Sequence, residues 1–105
     1  MEITKVEIKS KKGIKVKGEI DMHTASTVHK SLIEIIESIS NGDKIYIDMS
    51  EVVYMDSSGI AIFIDGLRHI NKKKGELILY NPSNKIMDVF GIARLQSVFK
   101  IERSN

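Results

Sequence analysis

The sequence contains no cysteine. That excludes a disulfide framework, a thiol nucleophile and any cysteine-based metal site. It also has little net charge: sixteen Lys and Arg stand against fourteen Asp and Glu, leaving +2. So small an excess is neither a nucleic-acid footprint nor an acidic tail. No apolar run approaches the roughly 20 residues that a membrane-crossing helix needs, and membrane insertion is not expected. Met1-Glu2-Ile3-Thr4-Lys5 lacks the apolar core of a signal peptide, so the expected location is the cytoplasm. Repeats, low-complexity tracts and linkers are absent as well. The 105 residues suit one domain, 1–105, which buries roughly 60–70% of its unfolded surface around one core.

Catalytic groups are equally scarce. There is no Gly-x-Ser-x-Gly elbow, and the only histidines are His23, His29 and His69. A serine nucleophile needs a base within hydrogen-bond reach. His69 lies about three helical turns, roughly 16 Å, beyond Ser57 and Ser58. Asp21 and His23 lack a third ligand for a metal, and the isolated glycines form no phosphate cradle. No metal, cofactor or ATP site is expected, and the chain does not read as an enzyme. The basic run Lys72-Lys73-Lys74 has no interleaved aromatic; it reads as a helix end that complements the helix dipole, not as a direct nucleic-acid contact.

What is present is a regular alternation of strand and helix patterns. Ile3, Val6 and Ile8 mark a short strand, Lys11-Lys12-Gly13 a turn, and Ile14-Lys15-Val16-Lys17 a strand of period two that closes at Gly18-Glu19-Ile20-Asp21. The lysines of this hairpin read as a solvated face that discourages edge-to-edge pairing. From about Thr24, the spacing of Ala25, Val28, Leu32, Ile35, Ile36 and Ile39 predicts a helix. Asn41 or Gly42 supplies its left-handed end. Lys44–Met49 reads as an interior strand that leads through Ser50-Glu51 to Val52-Val53-Tyr54-Met55.

A second helix is expected from the Asp-Ser-Ser-Gly that follows to about Lys73. On a helical wheel Ile60, Ile64, Leu67 and Asn71 share its apolar face, and Ser58, Ile62, Asp65, Gly66 and His69 the outer one. Ile62, an apolar residue on that outer face, is read as a partner contact. Glu76–Tyr80 is another buried strand. Pro82 suits a first helical position, Ile86, Met87 and Phe90 share one side of a short helix that Gly91 ends, and Leu95 and Val98–Ile101 form a last strand. The order β-β-α-β-α-β-α-β predicts an α/β fold: an N-terminal hairpin, then right-handed crossovers building a mixed, mostly parallel sheet of four or five strands packed with helices.

The stretch that gathers this pattern is Val52-Val53-Tyr54-Met55-Asp56-Ser57-Ser58-Gly59-Ile60. Either Asp56 or Ser57 caps the second helix, since the side-chain oxygens of both can accept from first-turn amides. Most such tetrapeptides are caps and nothing more. Here, though, serine hydroxyls sit at the positive end of a helix, a place that tolerates phosphate.

From Ile3 to Ile101 the chain resembles the bacterial anti-sigma factor antagonists, stand-alone STAS domains. Gly18-Glu19-Ile20-Asp21, Ile47-Asp48-Met49-Ser50 through Met55-Asp56-Ser57-Ser58-Gly59, and Gly75-Glu76-Leu77 through Asn81-Pro82 carry the likeness. The resemblance implies a protein that binds an anti-sigma factor, often also a serine kinase, and so frees a sigma factor. It implies phosphorylation at Ser57, release of the partner on phosphorylation, and reversal by a metal-dependent phosphoserine phosphatase. Asp21, Thr24, Asp56, Ser58, Gly59 and Ile62 become the candidate contact surface. Two departures stand out. Ala61 replaces a second glycine, and the chain stops at Asn105, so the family's C-terminal helix is expected to be missing or vestigial. The alternative reading is an unmodified STAS scaffold or accessory subunit of a signalling or membrane-associated complex.

Overall fold

The computed structural model of the chain describes residues 1–92 and 97–104. Its elements are β1 (Glu2–Ile8), β2 (Lys11–Ile20), α1 (Ala25–Glu37), β3 (Lys44–Met55), α2 (Ser57–Lys72), β4 (Glu76–Tyr80), α3 (Asn84–Ile92) and β5 (Lys100–Glu102). This is the expected order. The five strands lie in the sequence β1-β2-β3-β4-β5, with β1–β2 antiparallel and the remaining pairs parallel. Parallel strands that follow one another in chain order, joined by right-handed crossovers, send every connecting helix to the same face. The core has that form: Leu32 of α1, Phe63 of α2 and Phe90 of α3 join Ile45, Ile47, Leu77 and Leu79 in one cluster.

The opposite face carries no helix among the described residues, yet Tyr46 and Ile78 on it are only 3% and 0% exposed. Their cover comes from neighbouring strands. The Tyr80 ring meets Tyr46 edge-on at 5.6 Å, and Lys100, paired with Ile78 across β4–β5, reaches Glu76 at 2.8 Å. Lysine stems can shield apolar surface while their ammonium groups stay solvated. Burial raises the Tyr46 phenol above its ordinary value, with nearby Glu102 adding to the effect.

Several boundaries differ from the sequence expectation, each for a physical reason. The hairpin turn is Lys9-Ser10, both at positive φ (51° and 66°), not Lys11-Lys12-Gly13. Two such residues in succession make the turn that matches strand twist, although neither is the customary Asn or Gly. Gly13 lies inside β2, where an added Cβ would run into the Tyr46 carbonyl. β3 does not stop at Met49. It continues to Met55 because Val52 and Met55 are buried and because Lys15 and Lys17 of β2 meet Glu51 across the strands. Pro82 precedes α3; Ser83 caps it, its Oγ accepting from the Ile86 amide at 3.2 Å. Gly91 lies within α3. The last strand is Lys100–Glu102, shorter and later than expected, and Leu95 lies outside the described residues. No helix follows β5 among the described residues.

The largest difference is in α2. Its buried stripe is Gly59, Phe63, Gly66 and Ile70, each one residue earlier than Ile60, Ile64, Leu67 and Asn71, a rotation of about 100°. Glycine contributes nothing to an apolar wheel, yet both glycines face the interior. A Cβ at Gly66 would come within 2.7 Å of Leu32 Cδ2 on α1. The two helices therefore pack closer there than a side chain at 66 allows.

Candidate functional site

β2 and β3 end side by side. Ile20 pairs with Met55, and the Asp56 amide donates to the Ile20 carbonyl at 3.2 Å. The two acids that follow, Asp21 and Asp56, thus stand at adjacent strand ends. In open sheets of parallel strands this carboxyl end is the usual place for binding.

Asp56 is the cap of α2. It has extended backbone dihedrals, and its Oδ1 accepts from the Ser58 amide at 2.9 Å. Its carbonyl accepts from Gly59 and Ile60. The first-turn amides of Ser58, Gly59 and Ile60 are therefore satisfied by Asp56 itself. Ser57, the first helical residue, is exposed, while Ser58 is half-buried. Gly59 is buried: an added Cβ would strike Met55 and approach Ile20 Cγ2 to 3.0 Å. It seats the helix start on the strand ends and presents no contact surface of its own.

Asp21 and Thr24 form a second local unit. Asp21 Oδ1 accepts from the His23 amide at 2.8 Å and the Thr24 amide at 3.2 Å. The Thr24 hydroxyl donates to the Glu19 carbonyl at 2.7 Å and accepts from the Asp21 amide at 3.0 Å. Both side chains shape the entry to α1, and the Thr24 hydroxyl is fully used in doing so. Thr24 is the cap position of that helix but makes no side-chain cap bond.

Ile62 is placed differently from the sequence expectation. It is half-buried and packed against the core cluster, on the flank of α2 that meets α1. The exposed stripe below Ser57 is Ala61, Ile64 and Arg68. Ile64 is the apolar residue α2 shows to solvent, 39% exposed. The wheel assigned it to the core, and only the inward turn of the glycines brings it out. Met22 beside Asp21 and Val53 near the end of β3 are more exposed still, at 75% and 60%. Tyr54 is exposed too, with Lys85 Nζ 6.0 Å above its ring. Val53 is the extra residue where the β2–β3 register shifts, a bulge that no hydrophobic periodicity reveals.

The α1–α2 flank is tied by one carboxylate. Asp65 accepts from His29 Nε2 at 2.7 Å and from Arg68 at 2.6 Å, with His69 Nε2 at 3.3 Å. The His29 hydrogen bond, followed by that of Arg68, holds its carboxyl down at about 2. A depressed acid contributes stability that is present above its unfolded value, about 4, and is lost as pH falls through 2. Thermal unfolding midpoints measured from pH 5 down to pH 2 should fall more steeply for the wild type than for Asp65→Asn. Parallel curves would show that Asp65 does not tie the helices. Among the described residues no group of His, Asp and Glu is arranged to hold a metal ion, and no helix is long and apolar enough to cross a membrane.

The STAS domain family profile matches residues 3–105. The chain is 33% identical over 87 residues to the anti-sigma-B factor antagonist of Listeria monocytogenes, covering 83% of this chain and 75% of that protein. It is 30% identical over 88 residues to the anti-sigma-B factor antagonist of Bacillus subtilis, covering 84% and 78%. The structure of the anti-sigma factor antagonist SpoIIAA in its unphosphorylated form superposes with a TM-score of 0.79 at 20% identity, over 99% of this chain and 89% of that one. An anti-sigma-factor antagonist (STAS) domain protein from Planctomyces limnophilus superposes at 0.82 and 16% identity, over 98% and 90%. The five-stranded sheet, the helices on its one face and the matched residues agree: this chain belongs to the STAS domain family.

Proposed function

We propose that the protein is an anti-sigma factor antagonist whose unmodified form binds an anti-sigma factor of the serine-kinase type and so frees a sigma factor. Phosphorylation of Ser57 releases that partner, and a phosphoserine phosphatase restores binding. The observation that carries this reading is the position of Ser57, exposed at the first residue of α2 beside the capping carboxylate of Asp56. Relatives named anti-sigma-B factor antagonists support the partner class. The contact surface comprises Ser57, Asp56, Asp21, Met22, Ser58 and the exposed residues Ala61 and Ile64, with Gly59 and Thr24 shaping it from beneath. The protein acts by binding and has no catalytic step of its own.

The test is a pull-down from extract of the source cell with wild-type and Ser57→Asp protein as bait, read by mass spectrometry with phosphosite mapping. Recovery of an ATPase-type anti-sigma factor with the wild type alone, and phosphate on Ser57, supports the reading. Identical partners for both baits with no phosphate at Ser57 would replace it with a standing scaffold.

A further inference from the structure

We propose that two copies of this chain associate through β1, joining their sheets antiparallel across a two-fold axis at Val6. The sheet ends on one side at β5, three residues long, and on the other at β1, seven residues long. A long edge strand offers a row of unpaired amides and carbonyls, and proteins usually blunt it with proline, a bulge, lysines or a covering element. β1 has no proline, and its register with β2 is unbroken from Glu2↔Lys17 to Ile8↔Lys11. The hairpin's lysines stand mostly on β2; β1 carries Lys5 alone, between Glu2 and Glu7. Nor does α1 roof the strand. A cleft of about 430 Å³ lined by Ile3, Lys5, Ile14, Glu34 and Ile35 lies between them.

The charges that remain on β1 complement a second copy of themselves. In a two-residue hairpin, the pair closing the turn, here Ile8↔Lys11, exchanges backbone hydrogen bonds. Bonding then alternates along the strand. The even residues of β1 are thus bonded to β2, and the backbone groups of Ile3, Lys5 and Glu7 point outward. An antiparallel partner must set these outward residues opposite one another. A two-fold axis at Lys5 would put two ammonium groups face to face. One residue later, at Val6, Lys5 of each copy lies opposite Glu7 of the other, on one face of the joined sheet. On the other face Val6 meets Val6, and Thr4 meets Ile8 in two symmetric pairs. Opposite charges and β-branched residues in directly opposed positions are the favourable cross-strand pairs. Lys5 and Glu7 are both exposed and enter no ion pair within the chain among the described residues. Neither charge is therefore already used within the fold. The edge lies away from α2, so Ser57 of each copy stays exposed.

An interface this small falls in the weak, transient class. Sedimentation velocity of the purified chain between about 20 μM and about 1 mM covers the range in which such contacts associate. The wild type should pass from monomer toward dimer. Lys5→Glu and Glu7→Lys should each weaken association at least about tenfold, since each sets like charges opposite one another twice. The double variant Lys5→Glu/Glu7→Lys restores opposite charges and should associate within about threefold of the wild type. Unchanged thermal unfolding of all three variants would show that the fold is intact. A wild type that stays monomeric throughout, or single variants that associate like the wild type, would overturn the proposal, as would a double variant no better than the singles.

Discussion

Phe63→Ala is expected to remove about 3–5 kcal/mol of stability. Phe63 is fully buried on α2, in the cluster that joins all three helices to the sheet. Truncation loses the transfer free energy of the ring and leaves a cavity. Neighbours can close on it only by moving α2, which Gly66 holds against Leu32 and Gly59 against Met55. A domain of this size is stable by only about 5–15 kcal/mol, so the loss is roughly a fifth of the total or more. The unfolding midpoint should fall by more than about 12 °C, read by circular dichroism. Phe63→Leu, which refills most of the volume, should recover more than half of that. A fall of a few degrees for Phe63→Ala would mean that α2 is not fixed through this residue.

Phosphorylation of Ser57 should weaken partner binding by about a hundredfold or more, while the fold stays nearly as stable as before. Phosphate adds a charge of about −1.5 to −2. Within the free chain it sits at the positive end of α2, where a negative charge gains roughly 0.3–1 kcal/mol. Against this stands Asp56, whose carboxylate already occupies the Ser58 amide. Gain and repulsion nearly cancel, and the exposed phosphate remains hydrated. A partner surface shaped to a neutral hydroxyl must instead strip water from a dianion beside Asp56 and Asp21. An uncompensated buried charge costs several kcal/mol, and about 1.4 kcal/mol is already tenfold in affinity. Calorimetric titration of the recovered partner with modified and unmodified protein measures the first effect; amide NMR spectra measure the second. Chemical-shift changes spread through the sheet would show that the phosphate acts by refolding the chain, against the mechanism proposed here.

The order of elements and the buried strands were legible because they rest on period-two and period-3.6 patterns. Ile45, Ile47, Leu77 and Leu79 lie in the core, as their runs implied. The helix cap was legible as a choice between Asp56 and Ser57, and geometry settles it on Asp56. The face of α2 was not legible. Close helix packing is recorded in the sequence by absent side chains, and Gly59 and Gly66 are easily taken for breaks in an apolar stripe instead of its centre. That single rotation moves Ile62 inward and Ile64 outward, and with them the candidate contact surface. The Lys9-Ser10 turn was missed for the converse reason: strand pairing imposes left-handed dihedrals on residues that do not advertise them. The reach of β3 to Met55 was hidden by Ser50-Glu51, a polar pair that looks like a break until β2 supplies lysines opposite it.

The seating of Gly59 on Met55 and Ile20, and the bond from the Asp56 amide to the Ile20 carbonyl, bear on how a kinase could recognise its substrate. Ser57 cannot be drawn out as an extended segment without breaking the joint between β2, β3 and α2. An enzyme that phosphorylates Ser57 in the folded chain would therefore have to accept a folded helix start and read residues brought together from two strand ends. A short peptide covering Val52 to Phe63 presents the same linear motif without that shape. Fixing its backbone costs about 1–2 kcal/mol per residue, so it should be phosphorylated more than about tenfold more slowly than the intact chain. Equal rates would mean that the enzyme reads the local sequence alone.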